Sequence, residues 1–143
     1  MKISNEINDL CDFLNSSPTS WHAVENVKQR LQHHGFIELD EKNPWKMKRG
    51  GKYFVIRNGS ISAFILPKKQ LDSAHIAAAH TDSPALKIKP NGEYRKENMV
   101  LLGVEVYGGP LLTSWVNRDL GIAGRVFFNS ASGIQESIIR LDQ

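Results

Sequence analysis

The run Ala74-His75-Ile76-Ala77-Ala78-Ala79, followed at once by His80-Thr81-Asp82-Ser83-Pro84, is the segment that most constrains the fold. A short, mainly apolar run bounded by turn-forming residues fits a strand buried on both faces, and such strands sit in sheets with helices on either side. The residues upstream supply helices. Ile3, Ile7, Leu10, Cys11 and Leu14 follow helical spacing, with Asn5, Asp9 and Asp12 between them. This predicts an amphipathic helix with Cys11 as a small core residue on its buried side. Ser16-Ser17-Pro18 stops that helix. Ser20 is placed to cap a second one over residues 21–34, with Trp21, Val24, Val27 and Leu31 inward and Gly35 in the left-handed position past its end.

Downstream the texture changes to strands. Residues 53–57 and 61–66 are β-rich and flank Asn58-Gly59, a strong hairpin signal. Residues 86–89 alternate apolar and basic like a half-exposed strand, and residues 99–107 form a longer one, broken by Gly108-Gly109-Pro110. Two more strands are predicted at 123–128 and 136–141, joined by the small polar loop 129–133. Helices first, strands after and one central apolar strand predict an α/β layered domain. The last residue, Gln143, follows a strand with no closing helix, which raises the expectation of an incomplete chain.

Composition narrows the function classes. The chain has 143 residues, enough for one compact domain with a core. Its 18 Lys and Arg against 15 Asp and Glu leave a net charge of only +3, and the basic residues are scattered. The short basic groups (Lys46, Lys48, Arg49 and Lys52; Lys68-Lys69; Lys87 and Lys89) fit a solvated surface and not a nucleic-acid site. The first ten residues lack an apolar core, so no secretory signal is expected, and no apolar run approaches a membrane span. The single cysteine, Cys11, excludes an intrachain disulfide and fits a reducing, cytoplasmic setting.

His80 and Asp82 are the candidate chemistry. In extended chain, residues i and i+2 share a face, so the two side chains would project together from the end of the apolar strand. A metal-bound histidine must be neutral at its coordinating nitrogen, and its other ring nitrogen commonly donates to a carboxylate that fixes the tautomer. His-x-Asp meets both needs. It is equally the pattern of a histidine hydrogen-bonded at a strand end, with Asp-Ser-Pro as a turn behind it.

The wider sequence bears on that choice. Ala78-Ala79-His80-Thr81-Asp82-Ser83-Pro84 resembles the His-Thr-Asp-Ser-Pro signature of the aspartyl aminopeptidases, the M18 metallopeptidases, and most of all their bacterial members. Phe13-Leu14, Ser17-Pro18-Thr19 and Trp21-His22-Ala23-Val24 are similar to that family's N-terminal helix pair. Gly50-Gly51-Lys52-Tyr53-Phe54-Val55 with Arg57-Asn58-Gly59 resembles its first hairpin. Gly103-Val104-Glu105-Val106-Tyr107-Gly108-Gly109, Trp115, Arg118-Asp119-Leu120 and Ala123-Gly124-Arg125-Val126 form the most specific stretch. Val116-Asn117 departs from the Phe-Asp usual before Arg-Asp-Leu and removes one charge beside Arg118.

The resemblance implies a zinc-dependent aminopeptidase that removes N-terminal residues, preferably Asp or Glu, from peptides. It implies two zinc ions per complete active site, with a glutamate as general base. By the same resemblance, His80 is the first zinc ligand and Asp82 the catalytic carboxylate that orients it. The remaining ligands and the base belong far downstream in the family, so this chain is expected to be an N-terminal segment, inactive alone. Residues 1–120 would be the N-terminal part of the α/β catalytic domain, and residues 121–143 the start of an inserted β-rich dimerisation domain, truncated here. The full-length form is expected to be a homo-oligomer. Two other readings stand beside this one: a non-catalytic module that associates with full-length subunits, and an inert gene remnant.

The other histidines and the tryptophans have structural readings. His75 opens the apolar strand, and His33 and His34 end a helix where a charged imidazole favours the dipole. His22, in the first turn of a helix, is expected to be neutral and packed. Trp45 and Trp115 are expected to be core or interface anchors. No Gly-x-Ser-x-Gly elbow accompanies Ser83, which argues against a serine hydrolase.

Overall fold

A computed structural model describes residues 4–142, which divide into two compact units. Residues 4–82 and 122–142 form one, and residues 83–121 the other. Ile3 of the expected first helix lies outside the described residues.

In the first unit, α1 spans Asn5–Asn15. Ser4 caps it by accepting the Ile7 N–H at 3.4 Å, and Ser16 ends it with its own N–H and hydroxyl on the Asp12 carbonyl. The helical spacing was therefore read correctly, but the buried face was not. Cys11 is exposed, as are Ile7, Leu10 and Leu14, because nothing among the described residues packs over that stripe. The helix is held to the next one from its side, where Arg30 donates twice to Asp9 at 2.8 Å and lies over the Phe13 ring.

The second helix, α2, spans Ser20–His33 and contains the expected inward residues, with Val24 buried and Trp21, Val27 and Leu31 half-buried. Its cap is Thr19 and not Ser20. Thr19 keeps an extended backbone and accepts the His22 N–H, whereas Ser20 is already helical. At the other end Gly35 takes φ +78°. The Gly35 and Phe36 N–H groups donate back to Gln32 and Leu31, both at 3.0 Å, which closes a Schellman motif. Lys52 adds a cation there by donating to the His34 carbonyl.

Three strands follow in the order β1-β2-β3: Ile37–Glu38, Lys52–Arg57 and Ser60–Ile65. The pair β2/β3 is the predicted antiparallel hairpin, in register from Lys52↔Ile65 to Arg57↔Ser60, with Asn58 at φ 50° in the turn. The two-residue β1, parallel to β2, was not foreseen. Among the described residues the buried side chains are Ala23 and Val24 of α2 and Tyr53 and Phe54 of β2. Tyr53 and Phe54 are adjacent on a strand and so point to opposite faces. Tyr53 accepts the Lys48 N–H at 2.7 Å on one side, and α2 packs against the sheet as well. This makes β2 the covered strand of the unit.

The last pair of the first unit, β6 (Ile122–Ser130) and β7 (Gly133–Leu141), is an antiparallel hairpin whose turn is shorter than the predicted loop. Arg125 ties it to α2. Its guanidinium lies 4.9 Å from the Trp21 ring and 5.0 Å from the Phe127 ring, with Glu136 Oε1 at 3.5 Å.

The second unit is a long hairpin of β4 (Ala85–Lys96) and β5 (Met99–Tyr107). The predicted strand at 86–89 extends to Lys96 because Glu97 and Asn98, at φ 50° and 62°, make a two-residue turn whose twist matches the strands. A bulge falls between Ile88 and Glu93. There Gly92 has no room for a side chain, since a Cβ would stand 2.8 Å from the Gly103 carbonyl oxygen. The strand β5 ends at Tyr107, Gly108 follows at φ 70°, and a short 3-10 helix comes next at Leu112–Ser114. Asn117 sits at φ 55°, a conformation that asparagine and aspartate tolerate best among side-chain-bearing residues.

Candidate metal-ligand site

The apolar run before His80 departs from its prediction. Residues 74–79 form no strand, all are exposed, and Ile76 is 89% exposed. A strand buried on both faces needs a neighbour on each edge to take up its backbone groups, and no strand pairs with this run among the described residues. His75 is exposed with the rest and packs in no core.

His80 and Asp82 nevertheless come together. His80 Nδ1 lies 3.1 Å from Asp82 Oδ1. An ionised carboxylate only accepts, so in the neutral imidazole this contact assigns the proton to Nδ1 and leaves the Nε2 lone pair available. The imidazole is 93% exposed, so Nε2 faces open space. The intervening Thr81 points elsewhere and donates its hydroxyl to the Gly59 carbonyl at 2.6 Å. Gly59 in turn lies close under the start of α2, where a Cβ would stand 2.5 Å from Ser20 Oγ. Sequence reasoning passed over Thr81.

No group of three or more His, Cys, Asp or Glu side chains gathers around a common point among the described residues. The donor set therefore fits one ligand position with its orienting carboxylate, and not a closed centre of about four donors.

His22 behaves as expected of a packed, neutral imidazole. Its Nδ1 lies 2.8 Å from the Thr19 hydroxyl that caps α2. Partial burial, and then the charge of Arg140, lower its pKa from the usual histidine value. A depressed folded-state pKa means that the unfolded chain takes up the proton first. The stability contributed is thus present above about pH 6.5 and lost as pH falls through the lower folded value. Thermal midpoints should drop more steeply on acidification for the unsubstituted chain than for His22→Gln. Equal slopes would remove His22 from the acid response.

A family model described as aminopeptidase I zinc metalloprotease (M18) matches residues 13–143. This chain belongs to the M18 family. The M18 chain is 44% identical over 136 residues to "Probable M18 family aminopeptidase 2" of Ectopseudomonas mendocina, covering 93% of this chain and 32% of that protein. It is 44% identical over 121 residues to "Probable aspartyl aminopeptidase" of Ricinus communis, covering 82% and 25%. Its structure matches that described as "Structure of S. cerevesiae mApe1 dodecamer" with a TM-score of 0.81 and 31% identity, over 95% of this chain and 33% of that one. The M18 chain thus spans about a third, or less, of the length of the curated relatives it matches. The M18 description is that of a zinc metalloprotease, and the exposed Nε2 of His80 is chemically suited to such an ion. No helix among the described residues is long and apolar enough to cross a membrane.

Proposed function

We propose that this chain is the N-terminal part of a zinc-dependent aminopeptidase that removes N-terminal residues, preferably acidic ones, from peptides. The observation that carries the reading is the contact between His80 Nδ1 and Asp82 Oδ1 inside a chain of the M18 family. His80 is the zinc ligand through Nε2, and Asp82 holds the ring in the ligating tautomer and raises its basicity. Bound zinc would polarise the scissile carbonyl and lower the pKa of a water nucleophile. The acidic preference draws on the relative named as an aspartyl aminopeptidase. A homo-oligomeric full-length form draws on the relative described as a dodecamer.

Residues 1–120 belong to the catalytic domain in this reading, and residues 121–143 open an inserted dimerisation domain. The run 74–79 becomes a central strand when further strands flank it, which would bury Ile76. One histidine cannot assemble a centre that needs about four donors per metal. The chain alone therefore holds no tight zinc and releases no amino acid, and the lone cysteine and unremarkable charge suit a cytoplasmic enzyme.

The test joins residues 1–143 to the remaining two thirds of the Ectopseudomonas mendocina relative. The chimera should bind zinc and release aspartate from an aspartyl peptide, while residues 1–143 alone should do neither. A folded chimera that binds no zinc and releases nothing would sink the reading. Turnover by residues 1–143 alone would overturn the claim that they are incomplete.

A further inference from the structure

We infer that Thr81 is a positioning residue for the His80–Asp82 pair, acting through its hydroxyl on the Gly59 carbonyl of the β2/β3 turn. The inference rests on the metal-ligand reading of His80 and adds to it the device that holds the ligand in place. His80 and Asp82 follow a run with no regular structure, and both are exposed, so the segment that carries them has little packing of its own. Thr81 is only half-buried, yet it reaches 22 residues back to a turn of the folded sheet with a 2.6 Å hydrogen bond.

Residue 81 is the bend between the two. His80 and Asp82 meet at 3.1 Å around it, while the Thr81 hydroxyl is taken up by the Gly59 carbonyl. Fixing Thr81 therefore fixes which way His80 and Asp82 project.

The anchor is itself well seated. Gly59 lies in the turn between β2 and β3, the strand pair that contains the fully buried Phe54. The absence of a side chain lets the turn approach Ser20 at the start of α2. The hydroxyl is essential to this role and the threonine methyl is not. Serine should therefore substitute, and valine, which matches the shape without a donor, should not.

The His80 ring nitrogens are read by long-range proton–nitrogen NMR on the unsubstituted 143-residue chain, Thr81→Val and Thr81→Ser. No metal is added, and the pH is held above the usual imidazole value. The unsubstituted chain and Thr81→Ser should show Nδ1 protonated and Nε2 bare. Thr81→Val should lose that bias while keeping the amide pattern of β2 and β3. An unchanged His80 tautomer in Thr81→Val would overturn the inference. So would loss of the β2 and β3 pattern along with the bias, because Thr81 would then be a stability residue. In the chimera, Thr81→Val should weaken zinc binding about tenfold, with recovery in Thr81→Ser. Because the tautomer is read without metal, a chimera that never bound zinc would refute the peptidase reading and leave the NMR result standing.

Discussion

Replacing His80 with alanine in the chimera should remove both the zinc held at this position and the release of aspartate. Asp82→Asn should keep the metal with an affinity lower by about 10–100-fold. The order follows from the geometry. His80 presents the donor atom itself, and alanine leaves no group in its place. Asp82 stands one step back, 3.1 Å from the other ring nitrogen. Asparagine can still accept from Nδ1–H through its carbonyl oxygen, but it gives up the charge that strengthens the bond and makes the imidazole a better base. His33→Ala is the matching control. It removes an exposed imidazole at the end of α2 and should change neither zinc stoichiometry nor turnover. Titration against a zinc-binding dye and aspartate release from a peptide are the two measurements. Full zinc stoichiometry at unchanged affinity in His80→Ala would show that the histidine is not a ligand. Equal losses in Asp82→Asn and His80→Ala would show that the carboxylate does more than orient the ring.

Local signals in this chain were legible to the extent that local chemistry decided the structure. The stop at Ser16, the left-handed Gly35, the turn at Asn58-Gly59 and the full span of β5 all depend on residues within a few positions. The cap of α2 was misplaced by one residue because Thr19 and Ser20 are both capping types, and only backbone geometry chooses between them. The Glu97-Asn98 turn was missed because it lacks glycine, although both residues adopt positive φ. The larger departures, at Cys11 and at residues 74–79, have a common cause. Periodicity and an apolar run state that a face would be buried if something covered it, but they do not supply the cover. At the site, His80 and Asp82 do lie 3.1 Å apart, but around a bend at residue 81 and not at the end of the expected strand. The link from Thr81 to Gly59 joins residues 22 positions apart and left no trace that a pattern search would weigh.

Phe54→Ala should cost about 3–5 kcal/mol, because it empties a fully buried aromatic site. That is a large share of a typical total of about 5–15 kcal/mol. Few other side chains are in a position to compensate. Among the described residues only Ala23, Val24 and Tyr53 are also buried, and two of these are small. Ile65→Ala, in the neighbouring strand of the same sheet, is the informative contrast. Ile65 is 61% exposed, so the same kind of truncation should change stability by no more than about 0.5 kcal/mol. Urea denaturation followed by the far-ultraviolet signal measures both. Similar losses would mean that Ile65 is covered in solution by something that reaches β3. A small loss in Phe54→Ala would mean that the β2 core is not what holds the unit together. The consequence extends to the site, because the Gly59 carbonyl that holds Thr81 belongs to the turn between β2 and β3. In Phe54→Ala the His80 tautomer should therefore lose its bias at the urea concentration where β2 and β3 melt. In Ile65→Ala it should persist to the unsubstituted midpoint.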